Sequence, residues 1–128
     1  MAGPSSLLVN MRFNPPEVEI VGPVLESTVL KLGALLPRMT SLSRAHARKE
    51  LPAFRPDGAV GPRPLLWRHE LPWSVAHEVA QMQMCHAIVE CIDEEGCWDM
   101  RVTTSFTNAE GVDHVTLMFV KKAKRKEL

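Results

Sequence analysis

Four soft donor side chains fall within thirteen residues of this chain: Cys85, His86, Cys91 and Cys97. Thiolates and imidazoles are the ligands of zinc and of redox sites, so chemistry is sought here first. Their intervals match neither a zinc finger nor a zinc ribbon. Three is also an odd number of cysteines, and Met1–Asn10 lacks the basic start and long apolar run of a secretory leader. The pattern reads as free, partly buried thiols in a reducing compartment, cytoplasmic or nuclear. His77-Glu78-Val79-Ala80-Gln81 is one residue short of the zinc-protease helix, which needs a second histidine where Gln81 stands. Asp93, Glu94, Glu95 and Asp99 form an acidic corner with oxygen ligands for a divalent cation, but the glycine and ligand spacing of a calcium loop is missing. No metal and no cofactor is expected. The serines and five histidines assemble no nucleophile elbow, and there is no glycine-rich phosphate loop, so the chain is not expected to be an enzyme.

Charge is more informative. The formal net charge of zero conceals a split. Residues 38–68 carry seven bases (Arg38, Arg44, Arg48, Lys49, Arg55, Arg63, Arg68) against Glu50 and Asp57, and the tail Lys121, Lys122, Lys124, Arg125, Lys126 faces Glu127 alone. The remainder of the chain is strongly acidic. Segregation of this kind marks an interaction surface more than a fold. Arg44, Arg48, Lys49, Arg55 and Arg63, with the tail, are candidates to hold nucleic-acid phosphates or an acidic partner. Base stacking is poorly provided for, with three Trp, four Phe and no Tyr.

The elements that would position these groups follow from periodicity. Leu7–Phe13 and Glu17–Val21 predict two strands, with Asn14-Pro15-Pro16 between them and Gly22-Pro23 after. Leu25, Val29, Leu32 and Leu36 share one helical stripe, which predicts a helix over 24–36 that Pro37 stops, with a strand as the alternative because Ser27, Thr28 and Val29 are mediocre helix formers. A second short helix is expected from Thr40 or Ser41 to Leu51. Pro52–Pro64, with four prolines and two glycines, reads as an irregular basic loop. A strand is expected at 65–71. Val75, Ala76, Val79, Ala80 and Met82 gather on one side of a helical wheel, predicting a helix over 74–82 with Ser74 as its cap. Beyond it the phase breaks, and Cys85, Ala87, Val89 and Cys91 read as a strand over 85–92, with one long helix as the rival. That strand would set Cys91 and Cys97 close together across the following turn.

The end reads best. Asp93-Glu94-Glu95-Gly96 is a turn, and Trp98, Met100, Val102, Thr104 and Phe106 alternate with polar residues as a half-buried strand. Asn108–Gly111 turns the chain into a last strand where His114, Thr116, Met118 and Val120 alternate with Val115, Leu117 and Phe119. Both faces of it are fairly apolar, so it lies inside a sheet or offers an edge to a partner.

The fold class is therefore α+β: an antiparallel sheet with a C-terminal β-hairpin or meander over about 85–121 and two or three short helices. Residues 1–121 form one domain interrupted by the 52–64 loop, and 122–128 form a basic tail. No run of about 20 apolar residues is available to span a membrane. The function expected is that of a non-enzymatic protein-interaction or assembly subunit, binding a protein partner or itself through His114, Thr116, Met118 and Val120. The alternatives are a nucleic-acid-associated protein using the basic segments, and a small metal-binding protein or enzyme.

Overall fold

A computed structural model describes residues 6–42, 54–57, 66–71 and 74–122. Among these residues, eight strands and two helices follow one another in the order β1 (Ser6–Arg12), β2 (Glu17–Val21), α1 (Glu26–Leu35), β3 (Ser41–Leu42), β4 (Arg55–Asp57), β5 (Leu66–Glu70), β6 (Ser74–Val75), α2 (Glu78–Asp93), β7 (Trp98–Thr107) and β8 (Asp113–Lys121). A 3-10 turn at Leu36–Met39 closes α1. Six strands form one antiparallel sheet in the order β4-β5-β2-β1-β8-β7, and β3 pairs with β6 separately. The class is α+β.

Strict alternation in β1 makes the two faces of the sheet different. Leu7, Val9 and Met11 are buried against the helices, while Leu8, Asn10 and Arg12 point to the opposite side. Register carries the buried phase into the neighbours, with Val9 opposite Ile20 and Leu117, and Leu7 opposite Phe119. Onto this face α1 lowers Val29 and Leu32, followed by Leu36 of the 3-10 turn, and α2 lowers Met84, Ala87, Ile88, Cys91 and Ile92. Burying such side chains contributes about 1.5–3 kcal/mol each, which makes this single layer the source of the fold's cohesion. Glu95 ties three elements at one corner: its carboxylate accepts from the Leu25 N–H at 3.2 Å and from Trp98 Nε1 at 3.0 Å, just after α2 ends.

Two expectations from sequence fail here. The helix over 74–82 and the strand over 85–92 are one helix, Glu78–Asp93, with His77 at its N-cap and Ser74 in β6. Its buried positions 84, 87, 88, 91 and 92 repeat at helical spacing, and Gln83, His86, Glu90 and Asp93 lie on the outward side. Val79 and Met82 misdirect the wheel because they are apolar yet exposed. The meander therefore begins at Trp98, not at 85, and Cys91 sits on a helix instead of across a turn from Cys97. The second failure is at Thr40–Ser41. Thr40 Oγ1 donates back to the Pro37 carbonyl at 3.1 Å, and Ser41–Leu42 continue as β3 instead of opening a helix. Residues 43–53 of that expected helix lie outside the described residues. Of the expected loop at 52–64, Arg55–Asp57 is the edge strand β4, and 52–53 and 58–64 lie outside the described residues.

Candidate interaction face

The side of the sheet away from the helices carries a sorted surface. Register alone places Leu66, Val21, Leu8, Met118 and Val102 in one row across β5, β2, β1, β8 and β7. Val21 and Val102 are 37% and 46% exposed, and the three between or beside them are half-buried by their neighbours in the sheet. Among the described residues, no helix lies over this row. Next to it runs a polar row, Arg55, Arg68, Glu19, Asn10, Thr116 and Thr104, in which Thr116 Oγ1 donates to Asn10 Oδ1 at 3.0 Å. A third row sets Glu70, Glu17, Arg12, His114 and Phe106 side by side.

Ion pairs knit the polar rows. Glu17 pairs with Arg12 and lies 3.5 Å from Arg68 Nε, and Arg68 also reaches Glu19 at 3.0 Å. Half-exposed pairs of this kind contribute roughly 0–1 kcal/mol each, so they fix side-chain directions more than stability. At the far end the His114 ring stacks on Phe106, with centroids 4.7 Å apart and planes 3° apart, and its Nε2 accepts from Asn108 at 3.3 Å. A depression of about 210 Å³ lies among Asn10, Met11, Arg12, Glu17, Glu19 and His114. Small-molecule sites usually enclose roughly 300–1,000 Å³, and the Arg12–Glu17 pair already uses the charges of this one.

The row ends on β7, an edge strand of ten residues, of which Trp98 alone is buried. A bulge at Arg101, between Met100 and Val102, turns the strand over. Before it Met100 stands beside Phe119 on the helix side; after it Val102, Thr104 and Phe106 stand on the open side. The single half-buried face expected from Trp98 to Phe106 is thus split between the two sides of the sheet. Hydrogen bonds from Asn108 N to Val112 O (3.0 Å) and from Lys122 N to Cys97 O (2.8 Å) fix the phase of the β7–β8 ladder at both ends. Antiparallel alternation then turns the backbone N–H and C=O of Met100, Thr103, Ser105 and Thr107 away from β8, toward the open edge.

The predicted site residues divide accordingly. His114, Thr116, Met118 and Val120 all lie on the open face, but β8 pairs with β1 on one side and β7 on the other, so it offers no edge. Arg55 is exposed on β4, and Arg68 is engaged by Glu17 and Glu19. Lys121 ends β8, and Lys122 Nζ lies 4.0 Å from Asp99. Arg44, Arg48, Lys49, Arg63, Lys124, Arg125 and Lys126 lie outside the described residues.

Some of the other candidate groups make contacts within the fold. Lys31 Nζ donates to Glu94 at 2.6 Å, and that contact raises the lysine's pKa. Burial pushes the Cys85 and Cys91 thiols up, away from the reactive thiolate. Cys85 Sγ rests 3.9 Å from Met11 Sδ. Among the described residues, no three His, Cys, Asp or Glu side chains gather as a metal set. Sequence reasoning missed Leu8, Val21, Leu66 and Val102, which look like ordinary strand residues until strand order puts them in line. No helix among the described residues is long and apolar enough to cross a membrane.

No protein-family model matches the chain, and no curated protein matches it in sequence. Among solved structures it is similar to the crystal structure of a conserved kinetoplastid-specific protein from Trypanosoma cruzi. Identity is 26%, the TM-score is 0.72, and the likeness covers 94% of this chain and 100% of that one.

Proposed function

We propose that this chain is a non-catalytic interaction subunit that receives a protein partner on the open face and free edge of its six-stranded sheet. The observation that carries the reading is the apolar row Leu66–Val21–Leu8–Met118–Val102, which crosses five strands with no helix over it among the described residues. An apolar stripe bordered by fixed ion pairs has the layout of an interface core with a polar rim. It suits a protein surface better than a polynucleotide, because Arg68 is already matched to carboxylates and Lys122 lies near Asp99.

The test is capture of partners from nuclease-treated cell extract at moderate salt by the wild type and by Met118→Lys. Met118 lies mid-row between Leu8 and Val102, so a lysine there puts a charge in the centre of the stripe. The expected result is at least a tenfold loss of the captured protein, with folding stability changed by no more than about 1 kcal/mol. Equal capture by both proteins would refute the reading. Recovery that vanishes with nuclease would move the assignment to phosphate binding by the basic segments.

A further inference from the structure

Among the described residues no strand pairs with the outer edge of β7; that edge is matched to itself, and we infer that it pairs antiparallel with the same strand of a second copy of this chain, about a two-fold axis at Ser105. The inference rests on the interaction reading and names the occupant of one part of that surface. An open edge turns unpaired backbone donors and acceptors toward solvent, and what satisfies them in full is another extended strand. Proteins that keep an edge free blunt it with proline, lysine, a short strand, an inward charge or a bulge, and here the bulge at Arg101 interrupts the edge only at its start. Between Val102 and Thr107 this strand has none of these: the segment reads Val-Thr-Thr-Ser-Phe-Thr. Val102 and Phe106 are 46% and 55% exposed.

The bulge selects the register. The outward backbone groups above it belong to Thr103, Ser105 and Thr107. The antiparallel self-pairing that uses all three, and keeps Arg101 out of the ladder, sets Ser105 opposite Ser105, Thr103 opposite Thr107 and Thr104 opposite Phe106. No charge meets a like charge in that segment. Just outside it, the same register brings Arg101 beside the partner's turn at Ala109–Glu110, so a guanidinium faces a carboxylate at each end of the pairing. Both residues are exposed and belong to no ion pair among the described residues. The two sheets then continue as one, and the apolar rows of the two copies approach each other across the axis. A pairing this short buries less than the roughly 1,200 Å² at which specific, stable interfaces begin, so the dimer is reversible, with a dissociation constant on the order of tens of micromolar.

Sedimentation of the purified chain against concentration tests this, with two variants. The wild type should move from 14.3 kDa toward twice that mass as concentration rises. Ser105→Pro removes an N–H that points away from β8, so the monomer keeps its own ladder while both copies lose a bond at the axis. Dimerisation should weaken by at least about thirtyfold. Under oxidation Ser105→Cys should cross-link to itself faster than Val102→Cys, because directly opposed strand residues fall within disulfide reach and offset ones do not. A wild type that stays monomeric up to about 1 mM, a dimer indifferent to Ser105→Pro, or equal cross-linking at 102 and 105 each overturns the inference. Self-pairing can fail by these measures while Met118→Lys still abolishes partner capture, so the two readings fall separately.

Discussion

His69 provides the sharpest test of how this fold is held together. It is fully buried on β5, its Nε2 lies 3.4 Å from the Gly33 carbonyl, and the edge of its ring meets Phe54 with centroids 4.8 Å apart. The reason for a histidine there lies in α1. In an α-helix the carbonyl of Gly33 would accept from the N–H of residue 37, but residue 37 is proline and has none. The imidazole supplies the missing donor from the sheet, which places its proton on Nε2. Burial lowers the pKa of His69 below its ordinary 6.5, with backbone hydrogen bonding to Gly33 and Glu70 opposing in part. The folded state therefore prefers the neutral ring, and the unfolded chain takes up the proton first. The stability this preference contributes is fully present above about pH 6.5 and is lost as pH falls toward the lowered folded value. A single proton sets the steepest slope at about 1.4 kcal/mol per pH unit.

His69→Leu keeps the apolar packing and removes both the donor and the titration. At about pH 8 it should be less stable by about 1–2 kcal/mol, because the bond is long and the Gly33 carbonyl is left unpaired. Toward about pH 5 the gap should close or invert, since the variant has no ring to protonate. Urea denaturation of both proteins across that range reads the difference directly, and other titrating groups cancel in the subtraction. Parallel stability curves would refute the account.

Two further outcomes follow from backbone geometry. Gly22 has φ +128°, and a Cβ there would sit 2.6 Å from the Ser6 carbonyl oxygen where β2 leaves β1; Gly22→Ala should cost about 2–4 kcal/mol in chemical denaturation. Asn108 Oδ1 accepts from Glu110 N at 2.9 Å and Val112 N at 3.0 Å, closing the β7–β8 turn. Asn108→Ala should lower stability by about 1–2 kcal/mol and speed amide exchange at Glu110 and Val112 first; unchanged exchange there would count against the turn as described.

What could be read from the sequence was what depends on near neighbours. β1, β2, β5 and the final hairpin follow from two-residue alternation and from turn residues such as Asn14-Pro15 and Asn108–Gly111. The first helix was legible because Val29, Leu32 and Leu36 of its expected stripe are buried, although Leu25, the fourth, is the N-cap and 52% exposed. α2 was not, because Val79 and Met82 are apolar without being in the core, and the true stripe starts only at Met84. The bulge at Arg101 left no mark in the sequence, since it is a property of the β7–β8 pair. The open face was half legible. His114, Thr116, Met118 and Val120 could be placed together by alternation in one strand, whereas Leu8, Val21 and Leu66 join them by strand order alone.

That order also explains why β7 is bare. Six strands at about 4.8 Å span about 24 Å between the outermost axes. Two helices side by side, each about 10 Å across and packed 8–10 Å apart, cover about 20 Å. Among the described residues the helices therefore cover about one strand fewer than the sheet holds, and the contacts show which strand is left over. His69 is sealed beneath α1 and Phe54, and the buried stripe of α2 shares one core with Val9, Leu117 and Phe119, whereas on β7 cover ends at Trp98. Met100, next on the helix side, is already 49% exposed, and Thr103, Ser105 and Thr107 after it are exposed, with no helix above them among the described residues. An edge strand bare on both faces is a poor place to end a sheet by itself, because it adds ladder bonds to β8 and buries little. Ten residues of it are accounted for if the sheet does not end there, and it is this surplus of strand over helix, more than any single side chain, that makes the second copy the economical reading.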